Sequence, residues 1–288
     1  MRKRLLSGMI LLSILISTTS CGADEKSNRS PGCGRVAPAA PPTSLRVGGH
    51  TREFISVVPQ SYDSSAAHRL IFAFHGRTTA NTRVRKYYRI EQNSKVPTIF
   101  VYPAGLIAAD GKYSWYERSN PRNQLRDFAF FDALLQSFIT DYCIDLDKIF
   151  AVGHSLGASF ANSLGCARGS VIRGVGTVAG RIWDIECSGP AAAMIMHNPN
   201  DDLVPVSRGL EARESALAQN GLEPPAKECE PRELNCECYG PPQTPNPVTW
   251  CPHTEDHNRR GKFYPHLWPK EAGATIMEFF DSLPTPAQ

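Results

Sequence analysis

The sequence predicts an α/β fold, with one mostly parallel sheet and helices on both of its faces. Three observations predict it. Apolar runs of strand length recur along the chain, as expected of strands covered on both faces. Segments with a three-to-four residue apolar period stand between them. The bulk composition, 41% hydrophobic and 20% charged over 288 residues, is that of a globular chain long enough for one large domain, and it excludes disorder as the main state.

Taken in order, the elements begin near residue 45. "REFISVVP" (52–59) alternates and is β-branched, and Pro59 closes it. "RLIFAFHG" (69–76) and "VPTIFVYPAG" (96–105) are continuous apolar runs of buried-strand type. The period then changes. In "DFAFFDALLQSFITDY" (127–142), Phe128, Phe131, Leu135, Phe138 and Tyr142 share one helical face, and Asp127 is the expected N-cap. "KIFAVGHS" is a strand again, and "GASFANSLGCA" the helix after it. "VIRGVGTVAG" (171–180) and "AAAMIMHNPNDD" (191–202) hold further buried runs, and "PKEAGATIMEFFDSL" (269–283) reads as a C-terminal helix. The rhythm breaks over about 220–262, rich in Pro, Cys and Glu. This stretch is expected to be a disulfide-stapled insertion within one domain spanning 33–288.

Residues 1–20 have the layout of a secretory signal: Arg2, Lys3 and Arg4, an apolar run from Leu5 to Ile16, then small residues. Thr19 and Ser20 before Cys21 resemble a bacterial lipobox, although Thr18 stands where a larger aliphatic residue is usual. Lipid on Cys21, with 21–32 as a tether, is the first expectation; a plainly cleaved signal is the second. Three of the 31 basic residues and none of the 28 acidic ones lie in residues 1–20, so the rest of the chain is electrically balanced. That argues against nucleic acid as a partner. Besides Cys21, eight cysteines remain: 33, 143, 166, 187, 229, 236, 238 and 251. An even number in an exported chain reads as disulfides whose pairing the sequence leaves open. Zinc on Cys236, Cys238, Cys251, His253 and His257 is the competing reading. An oxidising compartment disfavours thiolate ligands, and no metal is expected.

The chemistry centres on Gly153-His154-Ser155-Leu156-Gly157, a G-x-S-x-G pattern between an apolar strand and a helix. A tight strand-to-helix turn strains the serine and exposes its oxygen, and the flanking glycines lack the Cβ atoms that would clash there. A serine nucleophile needs a base and an orienting carboxylate, in chain order Ser, acid, His. Asp201 and Asp202 follow an apolar run and would sit at the C-terminal edge of the sheet, where ligands collect. His266, in the loop before the last helix, is the expected base. His253 and His257 are assigned to the insertion. The expected oxyanion donors are the N–H of Leu156 and the N–H of Arg77, in the loop "FHGRTT", with Thr78 as the alternative. His75, Trp115 and Trp250 are the candidate substrate-facing side chains, with Tyr113 beside them.

These pieces resemble the secreted feruloyl esterase and polyhydroxybutyrate depolymerase-like group of carbohydrate esterase family 1, which has the α/β-hydrolase fold. "VVPQSYD", "LIFAFHG", "IFVYPAGL", "DFAFFDALL", "CIDLDKIFAVGHSLGASFANSLGC", "HNPNDDLVP" and "HLWP" appear in the group's order. The resemblance implies that the acid is Asp201, with His266 opening the His-x-Trp-Pro motif. Asn198 stands where the group has glycine, Leu156 where asparagine is frequent, and "RTT" where the loop is glycine-rich. The resemblance further implies a serine esterase needing no cofactor, acting on feruloyl esters of plant xylan. Hydroxyalkanoate polyester is the alternative substrate, and a non-catalytic surface binding protein the alternative class. A monomer is expected, touching a membrane only through lipid on Cys21.

Overall fold

The computed structural model describes residues 28–115, 125–241 and 243–285. The expected signal, Cys21 and most of the expected tether lie outside the described residues. The strands are β1 Ser44–Val47, β2 His50–Val57, β3 His68–Phe74, β4 Thr98–Pro103, β5 Leu106–Ile107, β6 Tyr113–Ser114, β7 Ile144–His154, β8 Gly174–Val178, β9 Ala192–Met196, β10 Lys227–Glu228, β11 Glu237–Tyr239 and β12 Val248–Cys251. The helices are α1 Asn81–Tyr87, α2 Arg126–Asp141, α3 Leu156–Ala167, α4 Val206–Asn220 and α5 Ala272–Ser282.

Ten strands form one sheet in the order β1-β2-β4-β3-β7-β8-β9-β12-β11-β10. The six from β4 to β12 run parallel, and antiparallel pairs extend both edges. Strand pleating divides the core. Leu70, Phe72 and Phe74 of β3 face one layer with Phe128, Phe131, Phe138 and Phe160 from α2 and α3. Ile71 and Ala73 face the other, with Val84 of α1 and Ile276 and Phe280 of α5. Both faces of the central strands are therefore apolar, which is why they read as unbroken runs.

Two expectations about the framework change. Asp127 is not the N-cap of α2; Leu125 occupies that position. The Asp127 carboxylate is buried in the first turn and accepts from Arg52 at 2.6 Å and Arg126 at 2.7 Å, while the Arg52 guanidinium lies 4.0 Å from the centre of the Phe130 ring. An aspartate at a helix start suits either a cap or an ion pair, and here an arginine 75 residues away takes it. The cysteine-rich stretch is built into the domain, since β10, β11 and β12 within it extend the main sheet and all four residues of β12 are buried. Residues 28–32, expected in the tether, are bound to the domain. Ser30 Oγ donates to the Tyr142 carbonyl at 2.7 Å, and Leu146 N–H donates to the Asn28 carbonyl.

The eight cysteines after Cys21 pair as Cys33–Cys143, Cys166–Cys187, Cys229–Cys238 and Cys236–Cys251. Cys236, Cys238 and Cys251, the thiolates a zinc site would use, are thus all crosslinked. Four disulfides fit an oxidising, extracytoplasmic setting.

Candidate active site

β7 ends at His154 and α3 begins at Leu156, so Ser155 forms the turn alone. Its φ of 58° and ψ of −123° are strained for a residue with a side chain. Close packing leaves no milder geometry. A Cβ on Gly153 would lie 2.2 Å from the Gly157 carbonyl oxygen, and one on Gly157 would lie 2.1 Å from that of Phe74. Both glycines let α3 start hard against β3 and β7, and the serine absorbs the strain.

Two distant loops meet this turn. Ser155 Oγ and His266 Nε2 are 2.8 Å apart, and His266 Nδ1 lies 2.6 Å from Asp201 Oδ2. With Nδ1–H donating to the carboxylate, Nε2 is free to accept from the serine hydroxyl. Asp201 Oδ1 accepts from the N–H groups of Leu203 and Val204 at 3.0 and 2.9 Å. Burial pushes the Asp201 carboxyl up, but its bonds to His266 and Val204 and the neighbouring imidazoles outweigh that and hold it below the ordinary aspartate value. The acid is therefore ionised opposite a histidine that it orients. Asp202 is exposed, which separates two adjacent carboxylates that look alike in sequence.

His154 and His197 support this arrangement, and neither was singled out for a role from sequence. His197 Nε2–H donates to the Val204 carbonyl at 2.7 Å, closing the 201–204 loop that presents the acid. The His154 ring is tilted against His266 with centroids 5.1 Å apart, and its Nδ1 meets the Tyr87 hydroxyl at 3.1 Å. Burial, followed by the charge on His266, depresses His154 to about 3, so it stays neutral. His253 is buried and likewise neutral, depressed to about 4 chiefly by burial; His257 is exposed and bonded to Asp256. Neither is hydrogen-bonded to Ser155, whose Oγ meets His266.

The loop after β3 passes over the serine. A Cβ on Gly76 would lie 3.4 Å from Ser155 Cβ and 3.9 Å from its Oγ. The Ser155 N–H is already bound to the Val178 carbonyl, whereas Leu156 opens α3, where backbone N–H groups lack helical acceptors. The Arg77 side chain points to the surface and pairs with Asp110 at 2.6 Å.

The three candidate substrate-facing side chains are corrected. His75 is fully buried; its Nδ1–H donates to the Gly76 carbonyl at 2.7 Å and its Nε2 accepts from the Gly105 N–H at 2.9 Å. Burial, the largest cause, lowers it to about 4 and keeps it neutral, as this double role requires. Trp115 is buried and donates from Nε1 to the His75 carbonyl at 2.7 Å. Trp250 is buried on β12 behind His197. His75 and Trp115 shape the loop over Ser155 from beneath, and Trp250 belongs to the core. The aromatic rings that line the opening at His266 are instead Tyr87, Tyr264 and Trp268. The "FYPHLWP" run was the signal for two of them.

No protein-family model matches the chain. Among named proteins, it is 30% identical over 226 residues to "Probable feruloyl esterase C" of Aspergillus terreus, covering 75% of this chain and 78% of that one. It is also 30% identical over 204 residues to feruloyl esterase C of Emericella nidulans, covering 68% of this chain and 70% of that one. This chain belongs to the feruloyl esterase family. The esterase is more distantly similar, at 27% identity over 250 residues, to feruloyl esterase D of Neurospora crassa. Among solved structures its fold matches acetyl xylan esterase from Aspergillus awamori, with a TM-score of 0.59 at 16% identity over 80% of this chain and 94% of that one. It matches the Bacillus cereus carboxylesterase with a TM-score of 0.56 at 13% identity, over 80% and 93% of the two chains. The esterase thus has the α/β-hydrolase fold and is a carboxylic-ester hydrolase.

Proposed function

We propose that this protein is a serine esterase that releases hydroxycinnamate from plant cell-wall xylan, with Ser155 as nucleophile, His266 as base and Asp201 as orienting acid. The observation that carries the reading is the unbroken hydrogen-bond chain from Ser155 Oγ through His266 to Asp201 Oδ2. His266 Nε2 takes the hydroxyl proton as the oxygen attacks the ester carbonyl. Asp201 holds the imidazole in the required tautomer and stabilises its cation. The N–H groups of Leu156 and Arg77 receive the oxyanion. Two features support this pair. Leu156 N–H sits at the start of α3, where the helix dipole favours negative charge. The Gly76 carbonyl is held by His75, and in a trans peptide the following N–H, that of Arg77, points the opposite way. His266 then protonates the leaving alcohol, and water hydrolyses the acyl-enzyme by the same path. The names of the relatives support the hydroxycinnamoyl acyl group. The basic, apolar and small-residue layout of 2–21 supports export, with lipid on Cys21 as the anchor.

Ser155→Ala should lower methyl ferulate turnover by about 10⁶ with an unchanged melting curve. Near-normal turnover in that variant would refute the triad. Faster cleavage of a hydroxybutyrate oligomer than of methyl ferulate by the unaltered enzyme would refute the acyl assignment.

A further inference from the structure

Beside His266 the surface opens into a groove of about 730 Å³. Thr78 and His266 line it, Tyr264 and Trp268 are among its walls, and Arg83, Arg89 and Arg259 border it. Arginines elsewhere on this protein are commonly paired: Arg85 with Glu91, Arg168 with Asp132, Arg208 with Glu211. Among the described residues, no carboxylate pairs with Arg83, Arg89 or Arg259. Glu255, the acid lining the groove, directs both carboxylate oxygens to the Lys270 N–H at 3.1 Å, and Lys270 Nζ pairs with Glu271. Three guanidinium groups thus collect with no carboxylate paired to them, and Glu255 is the one acid among the lining residues, on a chain that is electrically balanced outside residues 1–20.

The position of the groove says which part of a substrate reaches it. The base must deliver its proton to the leaving oxygen, so the alcohol portion of the ester lies against His266. Guanidinium forks match carboxylates in shape and charge, and aromatic faces beside them offer apolar surface to a ring. We propose that this groove is an alcohol-side subsite for a carboxylate-bearing sugar, so that the preferred substrates are feruloyl esters of acidic, uronate-containing oligosaccharides. Arg83 and Arg259 grip the carboxylate while Tyr264 and Trp268 bracket the sugar. This inference rests on the ester-hydrolase reading above, with His266 as base.

The test compares kcat/KM for two feruloyl esters that differ at one sugar carbon: a feruloylated methyl galactoside and the corresponding methyl galacturonide. The expected preference for the galacturonide is about tenfold at about 0.01 M salt, falling to roughly twofold at about 1 M as screening shortens the reach of the charges. In the double variant Arg83→Gln, Arg259→Gln the ratio should fall to about one at both salt concentrations. Both arginines are exposed, so the variant is expected to fold, and its melting curve checks this. Arg89, half-buried with a φ of 56°, is left in place. Equal kcat/KM for both esters in the unaltered enzyme, or a preference that survives the double substitution, would overturn the subsite. Cleavage of neither ester would overturn the hydrolase reading and the subsite with it, so the two failures are distinguishable.

Discussion

The turn at Ser155 and the cysteine-rich stretch that runs up to Cys251 are built in opposite ways. At the turn, geometry is enforced by exclusion between near neighbours in sequence. Gly153 and Gly157 admit no side chain, and Ser155 takes the left-handed backbone that remains. In the cysteine-rich stretch little is enforced locally. β10 and β11 have two and three residues, and two crosslinks, Cys229–Cys238 and Cys236–Cys251, hold them to β12. One region is specified by what cannot fit, the other by covalent bonds between residues that could sit many ways. The first should therefore fail sharply on losing a hydrogen atom, and the second gradually on losing a bond.

The largest expected effect is at the turn. Gly157→Ala puts a methyl group 2.1 Å from the Phe74 carbonyl oxygen, so β3 and α3 must separate. A loss of stability on the order of 4 kcal/mol, with esterase activity abolished, is expected from urea unfolding and methyl ferulate assays. Wild-type stability in this variant would break the comparison. Next comes Cys236→Ser with Cys251→Ser. This bond spans 15 residues, for which the chain-entropy account gives about 3 kcal/mol, so a lower melting temperature with activity retained at room temperature is expected. The smallest effect at neutral pH is His253→Phe. Among the described residues, neither nitrogen of this buried ring has a hydrogen-bond partner, so an apolar ring of similar shape should change stability by less than ~1 kcal/mol at pH 7. In acid the difference grows. The folded pKa of His253, about 4, lies below the unfolded value, so its contribution is complete above the unfolded pKa of about 6.5 and is lost as pH falls toward 4. The variant should show a shallower decline over that window, by up to ~1.4 kcal/mol per pH unit, in unfolding measured across pH.

The same contrast explains what was legible in the sequence. The central strands, α2, α3 and the turn at Ser155 could be read because apolar runs, helical periodicity and paired glycines act over a few adjacent residues. His266 was legible as the last loop histidine in an expected chain order. Choosing Asp201 over Asp202 needed a family motif, because the difference is which of two neighbours turns inward to accept the Leu203 and Val204 N–H groups. Two helices went unanticipated. α1 buries only Val84, and α4 buries only Gly209, Ala212, Ala216 and Leu217, so neither carries a strong apolar stripe. Asp127, His75 and Trp115 were misassigned for a related reason. Each has a residue type suited to two jobs, and partners from distant segments decide between them. The disulfide pairing belongs to the same class, since it follows from the assembled sheet.

The seating of Asn28–Gly32 has a consequence for how the molecule works on a solid. Ser30 and Asn28 are bound at the beginning of β7, and Ser155 follows its end, eleven residues or roughly 35 Å along an extended strand. Asn28–Gly32 therefore lie at the pole opposite Ser155. Under the lipid anchoring proposed at Cys21, the enzyme would stand with Ser155 turned outward, toward insoluble polymer, and the start of β7 toward the cell.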